Sequence, residues 1–260
     1  MDNILDDYAH TNGLRDADTR LKLVMGAGAI LISVSSGSSA APLFIAATMA
    51  LITVGLAKIP VAFYARLLAI PAGFVLTSGI VLIFLTGGGI PLWEFTLPCG
   101  TLSVTTAAID LASVVCARTL GGMCSLYFIA LSTPMIEMFS VMRSLHLPRE
   151  FVDLSMLIYR FIFILIGEAI AIKNAQEMRH GYAHFSTSLQ SFSILGAMLF
   201  IRSLAKGEDL IRAMDARCYD GKLELLSQTR ALSILGILCV TGYLTACVLI
   251  LLSTTDIMIG

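Results

Sequence analysis

Two short stretches carry most of the chemistry this sequence offers: AQEMRHGYAH, residues 175–184, and RAMDARCYDG, residues 212–221. Each centres on an arginine, Arg179 within Met178, Arg179, His180 and Gly181, and Arg217 within Ala216, Arg217 and Cys218. A guanidinium is a planar fork of donors that stays charged through partial desolvation, so it suits paired hydrogen bonds to a partner's carboxylate. Arginine is also enriched among interface hot spots. The plainer alternative is a cation at a helix C-terminus, opposing the negative end of the dipole and solvating an apolar helix. Both alternatives require a helix that ends at each arginine, with glycine (Gly181, Gly221) supplying the stop.

Other reactive residue types assemble less well. His180 and His184 are four apart and could share a helix face as metal ligands do, but Gly181 between them weakens the helix and no third ligand is evident. Asp6, Asp7 and His10 form a second cluster that reads as an exposed acidic tail. Cys99, Cys116, Cys124, Cys218, Cys239 and Cys247 include no CxxC pair, and most sit among apolar neighbours as small hydrophobes. No GxxxxGK[ST] occurs, since GGGIPLWEF lacks the phosphate-contacting lysine, so the chain is not expected to hydrolyse ATP. DARCYDG superficially resembles the aspartate signature of membrane CDP-alcohol phosphotransferases. It supplies Asp215 and Asp220 without the preceding Asp-Gly or the later Gly and Asp series. An autonomous permease or channel is the other alternative, because Asp110 and Arg118 lie inside an apolar segment and intramembrane charges often mark pathways. Eight residues apart, they read equally as residues with separate partners in a subunit interface.

The elements that must hold these residues are set by composition. Of 260 residues, 57% are hydrophobic and 13% charged, with a mean hydropathy of +0.87, against about 25% charged in soluble domains. The chain is therefore expected to be an all-α integral membrane protein. Its polar, acidic opening is unlike a cleaved signal peptide, and a net charge of −1 points to neither nucleic acid nor anionic lipid. Five stretches suit transmembrane helices, at residues 21–34, 42–57, 67–86, 104–132 and 231–252. Residues 151–172 and 189–205 are nearly as apolar, so lysine and arginine placement decides. With five spans, Arg15, Arg20, Lys22, Lys58, Arg66 and the eleven cations from Arg143 to Arg230 face the cytoplasm. SSGSSAAP, the loop at residues 87–103 and the tail TTDIMIG carry no cation and fall outside. If residues 151–172 and 189–205 both crossed, Lys173 and Arg179 would lie outside, against the rule. Arg118 alone of the cations stays within a span.

This divides the chain into a cytoplasmic N-terminal segment (1–20), a four-span region (21–133), a cytoplasm-facing helical coupling region inserted before the last span (134–230), and a final span with a short outer tail (231–260). The N-terminus is then cytoplasmic and the C-terminus outside. Within 134–230, Thr133 reads as an N-cap before Pro134, with Glu137 in the first turn. Met135, Met138, Phe139, Met142 and Leu145 repeat at helical spacing until Pro148. A second helix runs from about Arg149 to Arg179, where Arg160 and Glu168, eight apart, are no direct pair and each needs another partner. A third runs from about Ser188 to Cys218, with Glu208 and Arg212 as a favourable pair four apart.

DDYAH with DADTRLKLV, then LSTPMIEMFSVMRSLHLPREFVDLSMLIYRFIF, AQEMRHG and AMDARCYDG together resemble the transmembrane T component of energy-coupling factor transporters, in the CbiQ branch associated with cobalt and nickel uptake. The resemblance covers nearly the whole chain, and the middle stretch is its most specific part. It implies that the helices ending at Arg179 and Arg217 dock in grooves of two ATP-binding-cassette subunits, identical or paired. It also implies that a CbiM-like substrate-binding (S) membrane subunit completes the complex. ATP and magnesium would belong to the ATPases, with no cofactor, metal or catalytic residue on this chain, which would sit in the cell membrane. The family motif commonly reads Ala-Arg-Gly, and here His180 and Cys218 replace its glycine.

Overall fold

The computed structural model describes residues 12–14, 17–86, 91–97, 100–145, 147–220 and 233–259. Asp6, Asp7, His10, Cys99 and Gly221 lie outside the described residues. In chain order the elements are α1 (Thr19–Ser35), α2 (Ala40–Gly55), α3 (Val61–Leu85), β1 (Pro91–Leu97), β2 (Gly100–Thr105), α4 (Thr106–Ser132), α5 (Met135–Ser144), α6 (Arg149–Met178), α7 (Phe185–Asp215) and α8 (Ile234–Ile259). Two compact units divide them: residues 1–138 with 229–260, and residues 139–228.

In the first unit α1, α2 and α3 all pack on α4, and α8 packs on α1 and α2. Lipid is as apolar as leucine, so close van der Waals contact and interhelical hydrogen bonds must hold such helices together. Small residues permit the contact. A Cβ on Gly121 of α4 would stand 2.8 Å from the Pro42 carbonyl oxygen and 2.6 Å from Ser33 Oγ. Ala29, Ile45, Met49, Cys124, Phe128 and Cys247 form the buried centre. The Thr48 and Tyr243 hydroxyls, 2.8 Å apart, tie α2 to α8. Large side chains point outward instead, with Ile70 81% and Phe74 71% exposed on α3, as on a lipid-facing surface. Pro71 lies within that helix, which membrane helices tolerate because neighbours re-satisfy the freed carbonyl.

The chain is an all-α integral membrane protein. Among the described residues, α3, α4, α6, α7 and α8 are long and apolar enough to cross a bilayer. The membership of this set differs from the expected spans. Helices α1 and α2 have 17 and 16 residues, about 25 Å each at 1.5 Å per residue, short of a core roughly 30 Å thick. Helices α6 and α7 meet the length and hydropathy requirements, whereas the placement of lysine and arginine led to the expectation that they do not cross.

Two local expectations are corrected. Residues 87–103, expected as a loop, include the antiparallel hairpin β1–β2, with Glu94 opposite Ser103 and Leu97 opposite Gly100. Backbone pairing there satisfies groups that a loop would leave to water. Thr133 C-caps α4 rather than N-capping α5, its N–H donating to the Ile129 carbonyl at 3.1 Å. The ring of Pro134 disfavours helical geometry in the residue before it, so one helix stops at Thr133 and the next starts at Met135.

In the second unit Pro148 N-caps α6, and the Tyr159 ring stands edge-on to Phe139 and Phe163 at 5.9 and 5.0 Å. Helices α6 and α7 form an antiparallel hairpin. Gln176 Nε2 donates to the Ser191 carbonyl at 2.9 Å, and Glu168 pairs with Arg202 and with Lys206, the latter at 3.1 Å. Glu168 thus finds its partners across the hairpin, on α7.

Candidate functional site

Helices α6 and α7 end alike, atom for atom along the backbone. At the end of α6, His180 N–H donates to the Glu177 carbonyl at 3.0 Å and Gly181 N–H to that of Gln176 at 2.8 Å. At the end of α7, Cys218 N–H donates to Asp215 at 3.0 Å and Tyr219 N–H to Met214 at 3.1 Å. These are the paired bonds of the Schellman motif, which closes a helix through one left-handed residue. His180 (φ 57°) and Cys218 (φ 53°) are those residues, so Arg179 and Arg217 fill one equivalent slot, the last before the reversal.

Glycine was expected to supply the stop at both ends, and at neither is it the left-handed residue. His180 takes the left-handed backbone at a cost of roughly 1 kcal/mol for its Cβ, and Gly181 follows one residue later. Gly181 is needed for space. A Cβ there would meet Ser191 Oγ at 2.7 Å and the Gln176 carbonyl oxygen at 3.0 Å. Ser191 Oγ donates to the Gly181 carbonyl at 2.8 Å and Tyr182 Oη to Gln176 Oε1 at 2.7 Å, which anchors the turn against both helices.

Both tips present their side chains outward. Met178 is 84% exposed, and Arg179, His180, Ala216, Arg217 and Cys218 are all exposed. Among the described residues neither Arg179 nor Arg217 makes an ion pair, whereas Arg212 pairs with Glu208 at 3.4 Å as its spacing predicts. His180 and His184 do not share a helix face: His180 lies past the end of α6, and His184 precedes α7, its N–H donating to Thr187 Oγ1 at 3.1 Å.

The tips stand at opposite ends of the hairpin. Helix α7 starts beside the Arg179 turn and runs 31 residues to the Arg217 end, about 45 Å at 1.5 Å per residue. One unit thus displays the same cationic cap twice.

Asp110 and Arg118 are not brought together. Asp110 is exposed in the second turn of α4. Arg118 is half-buried deeper in the helix and donates from Nε to the Ser36 carbonyl at 2.7 Å, while Ser33 Oγ donates to the Arg118 carbonyl at 3.2 Å. Arg118 thereby ties α4 to the α1–α2 turn.

One constellation carries no signal in local spacing. Lys22, read from sequence only as a cytoplasmic cation, is 4% exposed, and its Nζ donates to the Ser132 carbonyl at 3.1 Å. Asn12 Nδ2 donates to the Leu131 and Ser132 carbonyls at 3.2 and 3.1 Å, and Thr19 Oγ1 donates to Glu137 Oε2. The only hint is that Lys22 follows Arg20 into the first apolar turns of the helix.

Comparison with known proteins bears on this arrangement. The family model for CbiQ, the cobalt transport protein, matches residues 10–230. A relative named as a fused cobalt transport protein, CbiMQ, from Methanocorpusculum labreanum is 47% identical over 225 residues, covering 86% of this chain. This chain spans 38% of that fused protein's length. An uncharacterized protein of Methanocaldococcus jannaschii, MJ1089, is 39% identical over 228 residues, 86% of this chain and 83% of its own. The energy-coupling factor transporter transmembrane protein EcfT of Limosilactobacillus fermentum is 28% identical over 221 residues, 80% of each chain. A helical membrane protein whose residues 10–230 match this model belongs to the CbiQ family, the CbiQ-like T components of energy-coupling factor transporters.

Proposed function

We propose that this chain is the energy-coupling subunit of a cobalt uptake system, with Arg179 and Arg217 each docking one ATPase subunit of the ATP-binding-cassette type. The observation that carries this reading is the repetition of one exposed arginine cap at the two ends of a hairpin, about 45 Å of helix apart. Such a separation suits two partner molecules, each offering a carboxylate-lined groove to one guanidinium. The chain itself is non-catalytic and holds no cofactor; ATP and magnesium sit on the ATPases. Cobalt is the substrate favoured by the relatives' names, with nickel as the close alternative. A CbiM-like substrate-binding subunit is the membrane partner, in keeping with a relative whose name joins CbiM and CbiQ.

Both tips then have to face the cytoplasm. A bilayer-crossing α7 would put its two ends, and so the two arginines, on opposite sides, where only one could meet an ATPase. We therefore place the α6–α7 hairpin on the cytoplasmic side, as Lys173, Arg202, Lys206 and Arg212 favour, with the N-terminus cytoplasmic and the C-terminus outside. When ATP draws the ATPases together, the tips shift relative to each other. The hairpin, pinned by Glu168 to Arg202 and Lys206 and by Gln176 to Ser191, carries that shift to the substrate-binding subunit. Coupling of this kind needs contacts that differ between two states.

Affinity capture from native membranes tests the reading. The wild-type chain should retain ATPase subunits, and the Arg179→Glu/Arg217→Glu double variant should lose them together with ATP-dependent cobalt uptake. Normal assembly and uptake by the double variant would end the proposal, and labelling of Lys173→Cys only from outside intact cells would end the orientation.

A further inference from the structure

The C-terminal carbonyls of a helix have no partner within it. In α4 they are buried, with Leu131 and Ser132 at 0% exposure and Thr133 at 4%, so the partners must come from elsewhere in the protein. They come from residues 12–22. Asn12 Nδ2 takes the Leu131 and Ser132 carbonyls and Lys22 Nζ takes that of Ser132. The same segment reaches the next helix, where Thr19 Oγ1 donates to Glu137 Oε2 in the first turn of α5. It also reaches the end of α2, where Gly13 N–H donates to the Ala57 carbonyl at 3.2 Å. Between the bonds to Ser132 and to Glu137 lies the Thr133–Pro134 break, after which the chain runs through α5 into residues 139–228, the unit bearing both arginine tips.

A lysine is almost never fully buried unless it is paired. Packing alone would be served better by leucine or methionine at residue 22. An ammonium at that point does what neither can: it sets a positive charge and a donor against the negative end of α4. Helix ends fray and open before helix centres, so a displacement arriving through α5 would be spent on unwinding the last turn of α4 unless its carbonyls were held.

We infer that Lys22, seconded by Asn12 and Thr19, is a positioning residue for coupling: it makes the end of α4 a fixed fulcrum, so that movement of the arginine-bearing hairpin reaches the membrane subunits and is not dissipated. This rests on the coupling function proposed above. Lys22 acts through α4 and not by touching substrate or ATPase.

The experiment uses the complete complex, captured with its ATPase and membrane partners and reconstituted in proteoliposomes, with cobalt(II) as the transported probe. ATP hydrolysis and cobalt uptake are measured in the same vesicles for wild type, Lys22→Met, Lys22→Arg and Asn12→Ala. Lys22→Met is expected to assemble with ATPases in the wild-type ratio and to hydrolyse ATP within about twofold of wild type, yet to import roughly tenfold less cobalt per ATP. Lys22→Arg, which keeps the charge and donors, should recover most of that ratio, and Asn12→Ala should lower it in the same direction. Unchanged cobalt per ATP in Lys22→Met, or an equal defect in Lys22→Arg, overturns the inference. If Lys22→Met fails to assemble, a normal ratio in Asn12→Ala overturns it and a lowered one supports it. A wild-type complex without ATP-dependent uptake would overturn the coupling function and this inference together, whereas a wild type that couples beside an indifferent Lys22→Met removes the inference alone.

Discussion

His180 and Cys218 hold the same position in two separate helix ends, each left-handed (φ 57° and 53°) and each directly following an exposed arginine. A Cβ is disfavoured in that backbone region, and glycine is not. Replacing either residue by glycine should therefore stabilise its helix end by about 1 kcal/mol, less the flexibility glycine adds to the unfolded chain. The two effects should add, because the sites are far apart. Thermal unfolding in detergent measures this. Capture of the ATPases should survive both changes, since the arginine slot is untouched, while Cys218→Val should lower the melting temperature.

The proposed docking of one ATPase subunit at each tip has a stoichiometric consequence. Arg179→Glu should leave the Arg217 tip able to hold one ATPase subunit, and Arg217→Glu the converse. Each loss should weaken its own contact by about 2 kcal/mol, roughly thirtyfold. Native mass spectrometry of complexes captured from membranes distinguishes one retained subunit from two or none. Complete loss from either single change would mean that the tips do not dock independently.

Gly121 and Gly122 are neighbours on α4 with opposite surroundings. A Cβ on Gly121 would meet the Pro42 backbone, its carbonyl oxygen at 2.8 Å and its Cα at 3.3 Å, while one on Gly122 meets nothing within 4 Å. Gly121→Ala should therefore force α4 away from α2 and cost about 1–3 kcal/mol. Gly122→Ala should be neutral or stabilising by up to about 1 kcal/mol from helix propensity. Melting temperatures of the two variants, purified side by side, test the helix packing described for the first unit.

Glu168 on α6 faces both Arg202 and Lys206 on α7. Glu168→Lys should place three cations together and loosen the hairpin, which amide exchange across residues 160–205 would register as faster exchange. Adding Arg202→Glu should restore part of the protection. If the double exchange gains nothing over the single one, the pairing does not hold the two helices.

Much of the chain's character was legible in one dimension. Hydropathy, with few charges, identified a helical membrane protein. The proline at residue 148 and the apolar period after it located α6, and the spacing of Glu208 and Arg212 foretold their pair. Arg179 and Arg217 stood out because a charged residue in so apolar a chain is conspicuous, although position alone could not say what backbone surrounds them. Both glycine stops were inferred from a glycine that follows each arginine, Gly181 and Gly221. The turn at α6 instead uses His180, because whichever residue lands at the reversal must adopt it, and Gly181 is set by how closely Ser191 approaches. Three further relationships were decided only by tertiary structure. The counter-charges of Glu168 come from 34 residues along the chain or more, Lys22 caps a helix ending 110 residues later, and the two arginine tips lie at opposite ends of one hairpin. The physical reason is the same in each case. Periodicity and propensity act over a turn or two of helix, whereas the partner of a buried cation or carboxylate is whatever the packing of distant helices brings within about 3 Å.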